Sequence, residues 1–393
     1  MNILINAVSI KEGGSSVVLL RLLDEFVRLR PVDRWYVAVH PSMASTLPVC
    51  QSVIALPVDA AARSRMHLRL WYEYGLQKLV RDHKIDLVFS QTNYLPTRAL
   101  DCPTLLLVQH AGHFSEKFRA LMLQEGRSHI GHWIFKATGR WVRKSVATAS
   151  RVTVQTSALA AAILRDVDVP PAKLVVVPHG PGLVTPGVAR QLRGGPAAWR
   201  IGYVTKYGVQ KNFDVLLRAV ALLRERHPVQ LTLTLDEQHP AFPRIAARMA
   251  ALGLAEAVRN RGELDRGDIQ AVYDELDVFV FPSLCESFGF PLVEAMARGL
   301  PVIAADIPSS REMGGQAIDY FEPQDHHALA DAIAHLMTDP QQYARQSARS
   351  LKRGREFSWS CSAVQNLTMI DQLLGRTRNQ ETPESEEGEA IPV

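Results

Sequence analysis

The chain has 393 residues, 47% of them hydrophobic and 21% charged, with a formal net charge of +4. That length suits two globular domains of ordinary composition, and the small net charge decides little. The four scattered cysteines (Cys50, Cys102, Cys285, Cys361) exclude a disulfide scaffold or a cysteine metal site.

In chain order, MNILINAVSIKEGG lacks the basic n-region of a signal peptide. No stretch approaches the ~18 apolar residues that span a bilayer, so a reduced, cytoplasmic setting is expected. Asn2–Val8 reads as a first strand, Lys11–Ser16 as a glycine turn and Val17–Leu29 as a helix. Trp35–His40, Val53–Leu56, Ile85–Ser90, Thr104–Gln109, Arg151–Gln155 and Val175–Val177 read as further strands. Thr185–Ala198, with three Gly and two Pro, reads as an interdomain linker. The alternation restarts with strand Trp199–Val204 and a helix near Phe213–Arg226. Strands follow at Leu231–Leu235, Val258–Gly262, Val278–Phe281 and Val302–Ala304. Such alternation predicts an α/β protein with two parallel sheets covered by helices. The domains fall at 1–183 and 197–358. Residues 377–393, with five glutamates and no aromatic, read as a disordered tail.

The most informative segment is Asp277–Asp306, a strand, loop, helix and strand. Val278–Phe281 is a continuous apolar run that suits a strand buried on both faces. Such a strand ends where open α/β sheets bind ligands. Gly289 lets backbone approach a ligand, and Pro291 suits a first helical turn. The helix start favours an anion such as a pyrophosphate. Glu286 in the loop and Glu294 one turn inside the helix are placed to accept from sugar hydroxyls. Taken alone, they read sooner as a helix cap and a solvated helix residue.

Glu286 and Glu294, within FPSLCESFGFPLVEAMARGLPVIA, resemble the E-x7-E motif of retaining family-4 glycosyltransferases, and Ala295–Val302 and Glu312 extend the match. The resemblance runs along nearly the whole chain and is strongest over about 200–325. It implies the GT-B architecture, two facing Rossmann-like domains with the active site between them, and a last helix over 359–376 that crosses back to the first domain. It implies that Glu286 contacts the donor sugar and Glu294 the ribose hydroxyls, with Ser287, Phe288, Gly289, Phe290 and Leu292 forming the donor loop. Lys206 and Lys211 flank a glycine loop after the first strand of domain two, where two cations stabilise a departing diphosphate. Lys211 matches the family's lysine. Lys206 stands where the family has arginine, which keeps the charge and loses the bidentate fork. Gly13 and Gly14 match the loop that approaches the donor phosphates; a plain tight turn reads the same way. His110 matches a first-domain histidine near the sugar, with His113 competing. Arg261 and Gly262 match the segment whose backbone meets the base. His179-Gly180 resembles a hinge turn of structural role.

No resident cofactor and no metal are expected, since no DxD-type segment is placed to hold one. The donor is expected to be a UDP- or GDP-linked sugar and the product to retain the anomeric configuration. Arg127–Arg151 carries six Lys/Arg, no carboxylate and two Trp, and Arg63–Tyr74 has a similar character. Such segments suit an anionic membrane surface bearing a lipid-linked glycan acceptor, or are ordinary amphipathic helices. Nucleic acid is not expected, because no groove-reading motif accompanies the charge. The reading is a hexosyltransferase of bacterial surface polysaccharide synthesis, peripheral on the inner membrane face. A same-fold nucleotide-sugar epimerase, a soluble-acceptor synthase and a catalytically silent nucleotide-sugar binding protein are the alternatives.

Overall fold

The computed structural model describes residues 1–125, 129–193, 198–265 and 267–376. The acidic tail 377–393, the first two residues of the basic stretch 127–151 and residues 194–197 of the linker lie outside them.

Two parallel sheets organise the described residues. The first contains β1 (Asn2–Ala7), β2 (Arg34–Val39), β3 (Val53–Pro57), β4 (Leu87–Ser90), β5 (Thr104–Leu107), β6 (Arg151–Val154) and β7 (Leu174–Val176), in the order β3-β2-β1-β4-β5-β6-β7. The second contains β8 (Trp199–Tyr203), β9 (Val229–Leu233), β10 (Val258–Asn260), β11 (Val278–Phe281), β12 (Val302–Ala305) and β13 (Asp319–Phe321), in the order β10-β9-β8-β11-β12-β13. Every residue of β4, β5, β11 and β12 is buried, as runs covered on both faces require. Helices cover them through one apolar stripe each; Gly14–Leu29 buries Val18, Leu19, Leu22, Leu23 and Phe26 at helical spacing.

Strand order reverses beside β1 and again beside β8. Ile5 pairs with both Val37 and Phe89, and Ile201 with both Leu231 and Val278. A reversal leaves a crevice at the carboxyl ends of the strands, and the loops after β1, β5, β8 and β11 open onto the same cleft. The last helix, Trp359–Leu373, returns to the first domain. Its Ala363, Leu367 and Ile370 join Ile3, Ile5 and Leu22 in one core, and Asp371 pairs with Arg30.

The strands differ from the sequence expectations mainly at their ends. Ile85 and Asp86 precede β4, and the Asp86 carboxylate accepts from the Asn2 N–H at 2.8 Å. The strand expected over Val258–Gly262 stops at Asn260, since Gly262 takes φ 71° and leaves extended geometry. β13 was not anticipated, because Asp319–Phe321 is short, opens on a carboxylate and carries no continuous apolar run. The described part of the linker is docked rather than free. Arg190 donates to the carbonyls of Tyr273 and Leu276, and the Gly187 N–H donates to the Ala297 carbonyl.

Candidate active site

The C-terminal wall of the cleft grows from β8 and β11. After β8 the chain makes a single turn, Val209–Lys211, and Asn212 at φ 52° redirects it into the helix Phe213–Arg224. Asn212 tolerates that left-handed conformation better than most side chains, and its Nδ2 donates to the Pro323 carbonyl at 2.7 Å. The turn delivers Lys211 to Glu286 in the loop after β11, with Nζ donating to Oε1 at 2.6 Å. Both side chains are largely buried. Burial draws the Lys211 pKa down, but Glu286 and Tyr203 outweigh it and hold the ammonium above its ordinary value.

Gly289 then takes φ 89°, where an added Cβ would lie 3.1 Å from the Phe281 ring. The helix Phe290–Ala297 starts there with Pro291 in its first turn. The side chains of Phe288 and Leu292 enter the hydrophobic core. The Ser287 carbonyl accepts from Thr156 Oγ1 of the other domain at 3.0 Å. Glu294 sits one turn into the helix, with Oε1 accepting from the Leu183 N–H at 2.9 Å and Oε2 from the Tyr273 hydroxyl at 2.8 Å. Burial raises its pKa and those two hydrogen bonds oppose the rise. A Cβ on Gly182 would sit 2.1 Å from Oε1, so only glycine lets the hinge segment come this close. Two of the roughly four lone-pair sites of a carboxylate are used, which leaves acceptor capacity.

The contacts at the mouth of the cleft are looser. Gly13 takes φ 74°, and a Cβ on Gly14 would meet Phe290 at 3.1 Å, so this turn abuts the donor loop. Lys206 is not beside Lys211 on Glu286. Its ammonium bridges Glu12, at 2.6 Å, and Glu263. Arg261 pairs with Glu275 at 2.8 Å, while Gly262 faces open space. Of the two histidines after β5, His113 is buried with its pKa lowered to about 3 by burial, and His110 keeps exposed surface. Protein packed around the His110 ring lowers its pKa, and Glu286 opposes the shift.

Three sets of contacts go beyond the sequence reading. The Glu312 carboxylate accepts from the Ser157 and Ala158 N–H groups at 2.6 and 2.9 Å, capping the helix Ser157–Asp166 of the opposite domain. Glu125 accepts from Tyr207 and Arg244 across the cleft. His179 is 1% exposed and shares a three-ring cluster with Phe290 and Trp359, at centroid distances of 5.8 and 5.3 Å, and burial lowers its pKa to about 3. Neither of its ring nitrogens has a partner among the described residues. A glycine beside a lone carboxylate was the only signal for Glu12, and Glu312 showed only as part of a motif. A cavity of about 350 Å³ adjoins Glu286, lined from one side by Phe114, Leu159 and Arg165 and from the other by Ile307 and Pro308. Cations, a helix start and two carboxylate acceptors gathered on one wall suit a ligand that is both anionic and polyhydroxylated.

Comparison with known proteins gives the same outline. Residues 196–353 match the family described as Glycosyl transferases group 1, and residues 12–181 match Glycosyltransferase Family 4. The chain is 31% identical over 225 residues to the MMP alpha-(1->4)-mannosyltransferase of Mycolicibacterium hassiacum, a match over 56% of this chain and 53% of that protein. The chain thus aligns with about half the length of that relative. Sucrose-phosphate synthase from Thermosynechococcus elongatus superposes with a TM-score of 0.77 at 19% identity, covering 96% of this chain and 100% of that one. The Anabaena protein Alr3699/HepE, solved in complex with UDP-glucose, superposes with a TM-score of 0.69 at 17% identity, covering 95% and 100%. Both superpositions carry the two-domain fold.

Proposed function

The chain belongs to the family of group 1 glycosyl transferases, and from that premise we propose that it moves a hexosyl group from a nucleotide diphosphate sugar to a glycan acceptor. The carrying observation is the buried Lys211–Glu286 pair at the carboxyl ends of β8 and β11. The donor diphosphate lies over the start of the helix Phe290–Ala297, flanked by Lys211 and Lys206. These charges stabilise the leaving group as it accumulates charge, with no metal required. Glu286, held by Lys211, accepts from a donor-sugar hydroxyl, and Glu294 accepts from the ribose. His110 donates to the sugar from the other wall. The acceptor hydroxyl attacks the face that the diphosphate leaves, a departing phosphate oxygen takes its proton, and configuration is retained. A UDP- or GDP-linked donor is favoured, the former by the likeness to a protein solved with UDP-glucose.

We propose further that the acceptor is lipid-linked, as in bacterial surface polysaccharide synthesis, and is met at an anionic membrane. No helix of the described residues is long and apolar enough to cross a membrane. Met66, Leu70 and Tyr74 form an exposed i, i+4, i+8 stripe. On the neighbouring helix, Trp133, Lys136, Arg140 and Lys144 are exposed along one face. Arg69 over the Trp141 ring joins the two segments. Apolar side chains amid cations suit an anionic interface.

Thermal unfolding with UDP, GDP, ADP and dTDP, each with and without Mg²⁺, tests the donor site. A selective rise from one diphosphate, unchanged by Mg²⁺, is expected; no rise from any of them rejects the site. Flotation with anionic but not neutral liposomes is expected for the membrane face, and its absence rejects that face.

A further inference from the structure

Glu12 has no part in the reaction as described, yet it holds one of the two cations that the reaction needs. It stands one residue before Gly13, on the turn that follows β1 in the N-terminal domain. Its Oε2 accepts from Lys206 Nζ at 2.6 Å across the cleft, 194 residues away in sequence. Glu263, from the same domain as Lys206, takes a second position on that ammonium. One cation is thereby shared by two carboxylates. All three side chains are more than half exposed, so a ligand entering the cleft reaches them.

We propose that Glu12 is an affinity-setting residue, an internal anion that competes with the donor diphosphate for Lys206 and so limits how tightly donor and spent nucleotide diphosphate are held. The inference rests on the proposed placement of Lys206 beside the diphosphate. An ammonium has three N–H donors, two of them used here. A phosphate oxygen therefore either displaces a carboxylate or takes the third donor beside it. Both courses place like charges within a few ångströms, where they repel. Glu263 travels with Lys206, but Glu12 belongs to the opposite wall, so its competition requires the two walls to be close. The walls are close here, with the Gly13–Gly14 turn against Phe290. After transfer, the return of Glu12 to Lys206 favours departure of the nucleotide diphosphate.

The test is calorimetric titration of the full chain with whichever of UDP, GDP, ADP and dTDP binds, comparing wild type with Glu12→Gln, Glu12→Asp and Lys206→Ala. For exposed charges, Glu12→Gln is expected to tighten binding about two- to five-fold. Glu12→Asp should stay near wild type, and Lys206→Ala should weaken binding. The gain from Glu12→Gln should vanish in the Lys206→Ala background. Unchanged or weaker binding by Glu12→Gln, with Lys206→Ala still weakened, overturns the role of Glu12 and leaves the donor site standing. Wild-type affinity in Lys206→Ala, or no binding of any diphosphate by wild type, overturns both.

Discussion

Lys211 and Glu286, on the C-terminal wall, are 13% and 14% exposed, whereas Lys206 and Glu12, which meet across the cleft, are 54% and 72% exposed. The two pairs have the same 2.6 Å contact distance. Their surroundings give that contact different consequences. A buried pair that loses one member strands a charge away from water, while an exposed pair returns its survivor to solvent. The pair inside the C-terminal wall is therefore preorganised and structurally committed, whereas the pair that spans the cleft exchanges partners at little cost.

The largest break in this contrast should come from Glu286→Ala. It leaves the Lys211 ammonium buried without its anion and should cost about 3–5 kcal/mol in chemical denaturation. A cost under about 1 kcal/mol would place this pair with the exposed one. Glu286→Gln keeps an acceptor for Lys211 and isolates function from folding. Its turnover should drop about 10²–10³-fold while nucleotide diphosphate still binds.

His179→Phe sharpens the picture where both walls and the hinge meet. Replacing a buried, unpartnered imidazole by a ring of similar shape should stabilise by about 1–3 kcal/mol at pH 7. The wild-type histidine has a folded pKa of about 3, depressed from 6.5. Between those values the unfolded chain binds more protons, so wild-type stability is lost as pH falls through that window. The advantage of the phenylalanine variant should therefore grow from pH 6.5 downward. A constant advantage would show that the ring titrates normally.

Glu312→Ala removes the carboxylate that caps Ser157–Asp166 from the other domain. By analogy with helix caps it should cost about 0.5–2 kcal/mol, read as a shift in denaturation midpoint. Lys206→Ala should have the smallest effect on stability, at most about 1 kcal/mol, while lowering nucleotide diphosphate affinity. A large loss of stability would remove the difference between the two pairs.

Much of the architecture was legible because its signals are local. Val278–Phe281 reads as a strand from four adjacent apolar residues and is one, residue for residue. The Glu286–Glu294 spacing puts one carboxylate in a loop and one in a helix from local geometry alone. Lys211 was visible through its match to the family's lysine. The hidden parts have partners far away in sequence. Glu12 meets Lys206 over 194 residues, and Glu312 meets Ser157 over 155. No periodicity encodes such pairs.

From the sequence by itself came two parallel sheets, because apolar runs, turn residues and helix starts act over a few neighbours, while the cleft and the residues set toward a phosphate and a sugar were read through the family resemblance. Only the tertiary structure decided which histidine stays open, that Phe288 and Leu292 turn inward, that Glu294 is tied to the hinge with a raised pKa, and that Lys206 is already held by two carboxylates. Those outcomes depend on burial and on the nearest charge. Both are set by segments that the chain brings together only when it folds.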